Sequence, residues 1–212
     1  MQEKYRCIVF DMDGVLVDVY SSWSFVHDHF GVNNDDSLKM YLEGEIDDLE
    51  FIRRDIELWR GKKEDVSRKD IAEILEDVPV MDGLEDCLME LKDRGFFTMV
   101  ISGGLKPLAE KIGCDYFDVI SANDIEEHEG CLSGEGIVEV PLKDKGRAFD
   151  KLLAKTGCKA DETVAVGNSF SDAPMLEKAG LGIAFNPSDE KVKEAADVVI
   201  EEKDLKRILE YF

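Results

Sequence analysis

Two aspartates, Asp11 and Asp13, stand directly behind a short apolar run in the stretch "CIVFDMDGVLVDVY". In such a pair, one carboxylate can attack a phosphorus atom while the other gives a proton to the leaving oxygen and later activates water. Phosphoryl transfer needs little else from a protein beyond positioning and charge neutralisation. The same residues could instead form a turn, with the aspartates capping the backbone and Gly14 supplying an unusual dihedral angle.

Polar residues also follow two later apolar runs. The motif "SGG" at 102–104 offers the hydroxyl of Ser102 and, around Gly103, a close backbone approach and N–H groups that suit a phosphate oxygen. The motif "GNSFSD" at 167–172 contains Asn168 and Asp172, whose oxygens are hard ligands of the type that Mg²⁺ prefers. Each motif also has a simpler explanation, a connecting turn for the first and a helix N-cap for the second.

A lysine could complete such a site. Lys145 lies at the start of a predicted helix, where its ammonium could steady a transferring phosphoryl group and offset the like charge of clustered carboxylates. A lysine taken alone is more often a surface residue. Parallel strands place their carboxyl ends at the same edge of a sheet, so we expect the three polar stretches to converge there.

The elements that would position these residues alternate along the chain. From residue 79 onward, strands are predicted at 96–101, 116–121, 163–166, 182–185 and 198–200, with helices at 84–94, 105–112, 145–156, 173–178, 190–195 and 205–211. The stretch "EEHEGCLSGEGIVEV" predicts a hairpin. Residues 20–78 show helical periodicity without a strand. We therefore predict an α/β fold, with a Rossmann-like parallel sheet core (1–17 and 79–212) and an inserted small α-helical cap (18–78).

Composition narrows the class of protein. The formal net charge of -22, from 48 acidic and 26 basic residues, argues against a nucleic-acid or anionic-membrane partner. The chain shows neither a signal-peptide pattern nor an apolar run long enough to span a membrane, which predicts a soluble cytoplasmic protein. Its cysteines are five in number and scattered, so we expect reduced core residues and no disulfide or zinc site. They are Cys7, Cys87, Cys114, Cys131 and Cys158.

The predicted cap contains candidates for substrate recognition. In "EFIRRDIELW", Arg53 or Arg54 could pair with a substrate carboxylate in bidentate geometry, or either could be a solvated surface residue. The sequence does not indicate which of the two faces inward. Trp23, Phe25 and Trp59 could line the pocket or form the core of the cap itself.

Four stretches in this order, "DMDGVLVD", "VISGG", "KDKG" and "VAVGNSFSDAPML", resemble the motifs of the haloacid dehalogenase superfamily of phosphohydrolases. The closest resemblance is to its phosphoserine phosphatase branch. The resemblance implies that Asp11 is the nucleophile and a metal ligand, and that Asp13 is the acid/base and a ligand through its carbonyl. It also implies that Ser102 contacts the phosphate and that Lys145 holds the phosphate by its negative charge.

The same resemblance implies a Mg²⁺ cofactor coordinated by Asn168, with Asp172 helping through water or through Lys145. At two positions of the predicted site, this sequence differs from the phosphoserine phosphatase branch. Asn168 stands where the branch typically has aspartate, and Tyr20 stands where it usually has a glutamate that holds the substrate ammonium. Tyr20 is thus at a substrate-binding position but cannot supply a compensating charge.

The function implied is a Mg²⁺-dependent phosphomonoester hydrolase that acts through an aspartyl-phosphate on a small phosphorylated metabolite. Alternatives are a phosphosugar mutase or sugar-phosphate phosphatase of the same fold, indicated by "DMDGV", and a non-catalytic family member. The expected partner is a small-molecule phosphomonoester, without nucleic acid or membrane, and the expected state is a monomer or homodimer.

Overall fold

A computed structural model describes residues 4–113 and 115–212, and a seven-stranded sheet runs through these residues. Its strands are Cys7–Phe10 (β1), Phe97–Leu105 (β2), Val119–His128 (β3), Cys131–Ile137 (β4), Thr163–Gly167 (β5), Leu181–Phe185 (β6) and Val198–Ile200 (β7). The order is β4-β3-β2-β1-β5-β6-β7, and every neighbouring pair is parallel except the antiparallel pair β3 and β4. The predicted α/β fold class and the predicted hairpin are confirmed.

Helices cover the sheet and fill the segment after β1. In that segment they are Ser22–Phe30 (α1), Asp35–Glu43 (α2), Asp48–Arg60 (α3) and Arg68–Ile74 (α4). Further along are Leu84–Asp93 (α5), Lys106–Gly113 (α6), Gly146–Thr156 (α7), Ala173–Lys178 (α8) and Glu190–Glu194 (α9). The structure thus has helices where the cap was predicted, and the division into two domains stays a prediction.

Alternation along β1 assigns its side chains to two separate cores. Cys7 and Val9 belong to a core cluster on one face of the sheet, whereas Ile8 and Phe10 belong to a larger cluster on the other. The larger cluster also includes Trp59 of α3. Because successive side chains of a strand point to opposite faces, a strand covered on both sides must be apolar throughout. The packing of α3 is therefore continuous with that of the central strand.

Local signals in the sequence define the ends of the α1–α4 helices. Ser67 and Asp70 form a reciprocal capping box at the start of α4, each side chain accepting from the other residue's backbone N–H. Asp47 caps α3 by accepting from the amide N of Glu50 at 2.9 Å. Gly31 ends α1 with φ of 59°, a left-handed conformation that glycine adopts at little cost.

The structure corrects the prediction that all cysteines are reduced. A disulfide joins Cys7 to Cys158, which are 151 positions apart in the chain. The prediction was wrong for these two because sequence spacing does not reveal that the segment after α7 packs beside the start of β1. Cys87 and Cys131 are free thiols, and Cys114 lies outside the described residues.

Other elements also differ from the prediction, among them the strand predicted at 116–121, which is β3 at Val119–His128. The strand predicted at 96–101 continues through "SGG" to Leu105 as β2, with a register shift between Ser102 and Leu105 in its pairing with β3. The predicted last helix is a 3-10 helix over Leu205–Tyr211. None of the helices within 4–113 and 115–212 has the length and apolar character needed to cross a membrane. The cytoplasmic location stays a prediction.

Candidate active site

The ends of three adjacent strands meet at one edge of the sheet. Asp11 follows β1, Ser102 lies in β2 and Asn168 follows β5, and β1 is hydrogen-bonded to both of the other strands. The amide N of Asp11 donates to the carbonyl of Val166 at 2.9 Å, which fixes the aspartate against the end of β5. All three residues line one cavity of about 460 Å³. The structure therefore brings the three predicted stretches together.

Lys145 joins two of the carboxylates. Its Nζ lies 2.6 Å from Oδ1 of Asp11 and 2.7 Å from Oδ1 of Asp172, and all three side chains are buried. Burial alone would lower the pKa of Lys145, but the two carboxylates outweigh it and raise that pKa, so the ammonium is kept. Burial and the charge of Asp172 raise the pKa of Asp11 to about 7 against the opposing effect of Lys145. Two buried carboxylates thus share one cation.

Asp13 is held from one side by the start of α1. Its Oδ2 accepts hydrogen bonds from the amide N and the hydroxyl of Ser22, both at 2.9 Å. Its Oδ1 is buried without a hydrogen-bond partner among the described residues. Burial raises the pKa of Asp13 to about 6, and the bonds from Ser22 reduce that rise. One oxygen is therefore positioned by the protein and the other is left for a ligand or a proton.

Sequence reasoning missed Ser22. The residue is fully buried, and its hydroxyl also accepts from the amide N of Leu105 at 3.0 Å, so it joins α1, Asp13 and the end of β2. The one available signal was a serine at the start of the first helix after the aspartate pair, and serine is common at such a position for capping alone. Ser21 is in fact the residue that caps α1.

The "SGG" stretch leaves a hydroxyl free to donate. Oγ of Ser102 accepts from the amide N of Gly104 at 2.9 Å, which leaves its own hydrogen available for a phosphate oxygen. The carbonyl of Gly103 accepts from Nε1 of Trp23 at 3.1 Å. A Cβ on Gly104 would lie 2.7 Å from Oδ2 of Asp13, so only glycine lets β2 approach the aspartate this closely.

The residues present fit a Mg²⁺ ion that keeps several waters. The possible oxygen donors are the carboxylate of Asp11, the main-chain carbonyl of Asp13 and the side-chain oxygen of Asn168. A Cβ built on Gly14 would lie 2.0 Å from Nδ2 of Asn168 but 3.7 Å from its Oδ1, so the amide nitrogen faces Gly14 and the oxygen is turned away. In the part of the chain that the structure describes, no three His, Cys, Asp or Glu side chains form a metal cluster. An ion here would depend on the amide and carbonyl oxygens.

Asp172, a predicted metal ligand, already uses both of its oxygens. Oδ1 contacts Lys145, and Oδ2 accepts from the amide N of Asn168 and of Ser169, each at 3.0 Å. Asp172 therefore positions Lys145 and the 167–172 loop. This arrangement agrees with the expectation that it helps through Lys145.

The arginines predicted to meet a substrate do not line the cavity. Arg53 pairs with Glu135 at 2.9 Å and with Glu50 at 3.1 Å, and Arg54 pairs with Glu50 at 2.8 Å. Tyr20 lies at the rim of the cavity with 89% of its surface exposed. The structure thus separates both arginines from the other predicted site residues.

The side of the cavity formed by helices α1–α3, here called the cap side, instead contains an unpredicted carboxylate. Asp55 of α3 lines the cavity, and its Oδ1 accepts from Nδ2 of Asn34 at 3.0 Å. Nε2 of His27 lies 3.4 Å from the same oxygen, and Nδ1 of His27 accepts from Nε1 of Trp59 at 2.7 Å. Trp59 is fully buried and stacks on Trp23, with ring centroids 5.4 Å apart.

The three aromatic residues considered for the pocket all contribute to the hydrophobic core. Trp23 and Trp59 belong to the core cluster and Phe25 packs against it, and of the three only Trp23 also lines the cavity.

Comparison with known proteins gives a consistent family. Residues 5–180 match the haloacid dehalogenase-like hydrolase family. A phosphoserine phosphatase of Methanocaldococcus jannaschii is 32% identical, with 100% of this chain and 99% of that protein covered. A phosphoserine phosphatase of Wolinella succinogenes is 31% identical, with 96% of this chain and 98% of that protein covered.

Solved structures agree with these relatives. A phosphoserine phosphatase described as a phospho-aspartyl intermediate analogue has a TM-score of 0.81 at 30% identity, with 99% of this chain and 100% of that chain covered. A substrate-bound phosphoserine phosphatase complex has a TM-score of 0.82 at 29% identity, with both chains covered over 100%. The predicted superfamily and enzyme class are confirmed. The chain belongs to the haloacid dehalogenase-like hydrolase family, as a phosphatase similar to phosphoserine phosphatases.

Proposed function

We propose that the protein hydrolyses phosphomonoesters of small metabolites and that Asp11 carries the phosphoryl group between two half-reactions. The observation that supports this most directly is the pairing of a buried Lys145 with Asp11 and Asp172, beside an Asp13 oxygen that has no partner among the described residues. Burying such a group of charges costs free energy, and buried clusters of titratable groups with shifted pKa values are typical of functional sites.

In the first half-reaction, Asp11 acts as the nucleophile. Its Oδ1 accepts from the amide N of Met12 at 2.7 Å and contacts Lys145, which leaves Oδ2 to form a bond to phosphorus. As that bond forms, the bond between phosphorus and the leaving oxygen breaks, and Oδ1 of Asp13 gives its proton to the leaving oxygen. The hydroxyl of Ser102 and the ammonium of Lys145 stabilise the charge on the transferring group.

In the second half-reaction, water replaces the alcohol. Asp13 takes a proton from water, the water oxygen bonds to phosphorus, and the bond to Asp11 breaks to release inorganic phosphate. The pKa of Asp13, raised by burial to about 6, is consistent with a group that both gives and takes a proton. Asp13 is thereby returned to its protonated form.

The proposed cofactor is Mg²⁺. Asp11, the carbonyl of Asp13 and Asn168 would hold the ion, and when bound it supplies positive charge that neutralises phosphate oxygens. Asn168 contributes a neutral oxygen, so the protein supplies less negative charge than an aspartate would at that position. The further proposals are a small phosphomonoester as partner and a monomer or homodimer as the assembly.

The test is phosphate release from a panel of phosphorylated metabolites and p-nitrophenyl phosphate with Mg²⁺. We expect Asp11→Asn to lower kcat by roughly 10⁴-fold or more, because it removes the nucleophile. Acid-quenched wild-type protein should show a phosphoryl adduct on the peptide containing Asp11, absent in Asp11→Asn. Retained turnover in a folded Asp11→Asn variant would contradict the mechanism, and turnover that requires a hexose bisphosphate would indicate a mutase.

A further inference from the structure

The cavity has an anionic group at each end. The strand-end side contains Asp11 and Asp13 with Lys145, and the cap side contains Asp55, which is 1% exposed. Among the residues of the cavity wall, Lys145 is the one lysine or arginine, and it already contacts Asp11 and Asp172.

The contacts of His27 show that it does not cancel the charge of Asp55. An indole N–H can only donate, so the 2.7 Å bond from Nε1 of Trp59 requires an unprotonated Nδ1 on His27. The single proton of the ring is then on Nε2, which faces Oδ1 of Asp55 at 3.4 Å. The bond from Trp59 therefore leaves His27 with one ring N–H directed at Asp55, and this contact places no cation beside the carboxylate.

Asp55 also has an oxygen available. Oδ1 faces Asn34 and His27, whereas Oδ2 accepts no hydrogen bond from a side chain or amide in the described ranges. A buried carboxylate with an unused acceptor is stabilised most by a cation that donates a hydrogen bond to it.

The same wall is unsuited to a substrate carboxylate. Arg53 and Arg54 lie outside the cavity wall and are paired with Glu50 and Glu135. A carboxylate placed beside Asp55 would meet a like charge in a buried setting, without a cation to offset it. Leu38, Phe51 and Ile52 line the same cavity and suit a short carbon chain.

We propose that Asp55 is a specificity-determining residue that binds a substrate ammonium, and that the preferred substrates are phosphomonoesters of amino alcohols without a carboxylate. The assignment rests on the proposed function and narrows its substrate class. Asp55, on α3, supplies the negative charge that Tyr20 cannot supply. Asp55 takes no part in the chemical steps.

The first test compares substrates on the wild-type protein. Phosphoethanolamine differs from phosphoserine by the carboxylate alone, and propyl phosphate has no ammonium. We expect kcat/KM for phosphoethanolamine to exceed that for each of the other two by about ten-fold or more, since a hydrogen-bonded charge pair gained or a like-charge contact avoided is worth about that factor. Equal or higher kcat/KM with phosphoserine would overturn the inference.

The second test changes Asp55 at nearly constant shape. Asp55→Asn should raise KM for phosphoethanolamine by about 10- to 100-fold while KM for propyl phosphate changes by less than about two-fold. Glu57→Gln is the matched control, because Glu57 is an exposed carboxylate on the same helix. A purely structural role for Asp55 would move both substrates together and would overturn the assignment.

The outcomes separate the two proposals. If neither p-nitrophenyl phosphate nor any of the three probe substrates releases phosphate, the proposed function fails and the substrate class fails with it. If phosphate is released but the preference for phosphoethanolamine is absent, the function stands and the role of Asp55 is wrong. If Asp55→Asn shows no cooperative thermal unfolding transition, the variant is not folded. The comparison of the three substrates on the wild-type protein then decides the role of Asp55.

Discussion

The two ends of the cavity are built in different ways. At the strand-end side, Asp11 and Ser102 are placed by the pairing of β1 with β2, so their separation follows from sheet register. At the cap side, Asp55 and His27 come from α3 and α1, and their contact depends on how two helices pack. Sheet register can hold the reacting side chains in one arrangement throughout a family. A change in helix packing can alter which substrate group is recognised without moving those side chains.

The largest effect that would sharpen this contrast is expected from Lys145→Met. The change removes the cation between Asp11 and Asp172, so we expect kcat to fall roughly 100- to 1,000-fold with every phosphomonoester. The free energy of unfolding should also fall by about 3–5 kcal/mol, because two buried carboxylates lose their partner. Steady-state kinetics and denaturant unfolding measure the two effects.

Lys151→Met is the matched control, since Lys151 is exposed on α7, the helix that Lys145 directly precedes. It should leave both quantities nearly unchanged. Lys145→Met could instead alter the preference between phosphoethanolamine and propyl phosphate while kcat stayed constant. The assignment of catalysis to the strand-end side and of substrate recognition to the cap side would then be wrong.

A smaller effect is expected from Ser22→Ala, at the point where the two regions meet. Ser22 begins α1, yet its hydroxyl donates to Asp13 and accepts from the amide N of Leu105. Its loss removes one of two hydrogen bonds to Oδ2 of Asp13, so we expect kcat to fall by about ten-fold with KM little changed. Kinetics with p-nitrophenyl phosphate measure this.

Asp28→Asn, at an exposed position on the same helix outside the cavity wall, is the comparison for Ser22→Ala. Equal effects of the two variants would mean that the helix as a whole matters and that the contact with Asp13 does not.

The placement of Asp11 and Asn168 at the strand-end side could be predicted from the sequence because each follows an apolar strand. Asp11 and Asn168 needed no knowledge beyond the rule that parallel strands open at one edge. The extension of β2 through Gly103 was not predictable, since the register shift between Ser102 and Leu105 interrupts the simple alternation of side chains. The Cys7–Cys158 disulfide depends on a contact 151 positions apart, for which the sequence contains no local signal.

The cap side could not be predicted in the same way. Arg53, Arg54 and Asp55 are consecutive on α3 and point in directions about 100° apart, so knowing which one faces the cavity requires the orientation of the helix. The expectation that a cation would meet the substrate favoured the arginines, and the packing of α3 turned Asp55 inward instead. With the proposed role of Asp55, substrate choice would depend on the orientation of α3, which no short motif specifies.

The smallest effect is expected from Arg53→Gln, and it tests that rotation most directly. Arg53 pairs with Glu50 and Glu135 across a partly exposed surface, where salt bridges contribute little. We expect KM for phosphoethanolamine and for phosphoserine to change by less than about two-fold, within the range of a surface substitution. Asp55→Asn, two positions along the same helix, should instead change KM for the ammonium substrate selectively. A selective rise in KM for phosphoserine in Arg53→Gln would mean that α3 turns in solution to present the arginine, and the cap side would then recognise a carboxylate.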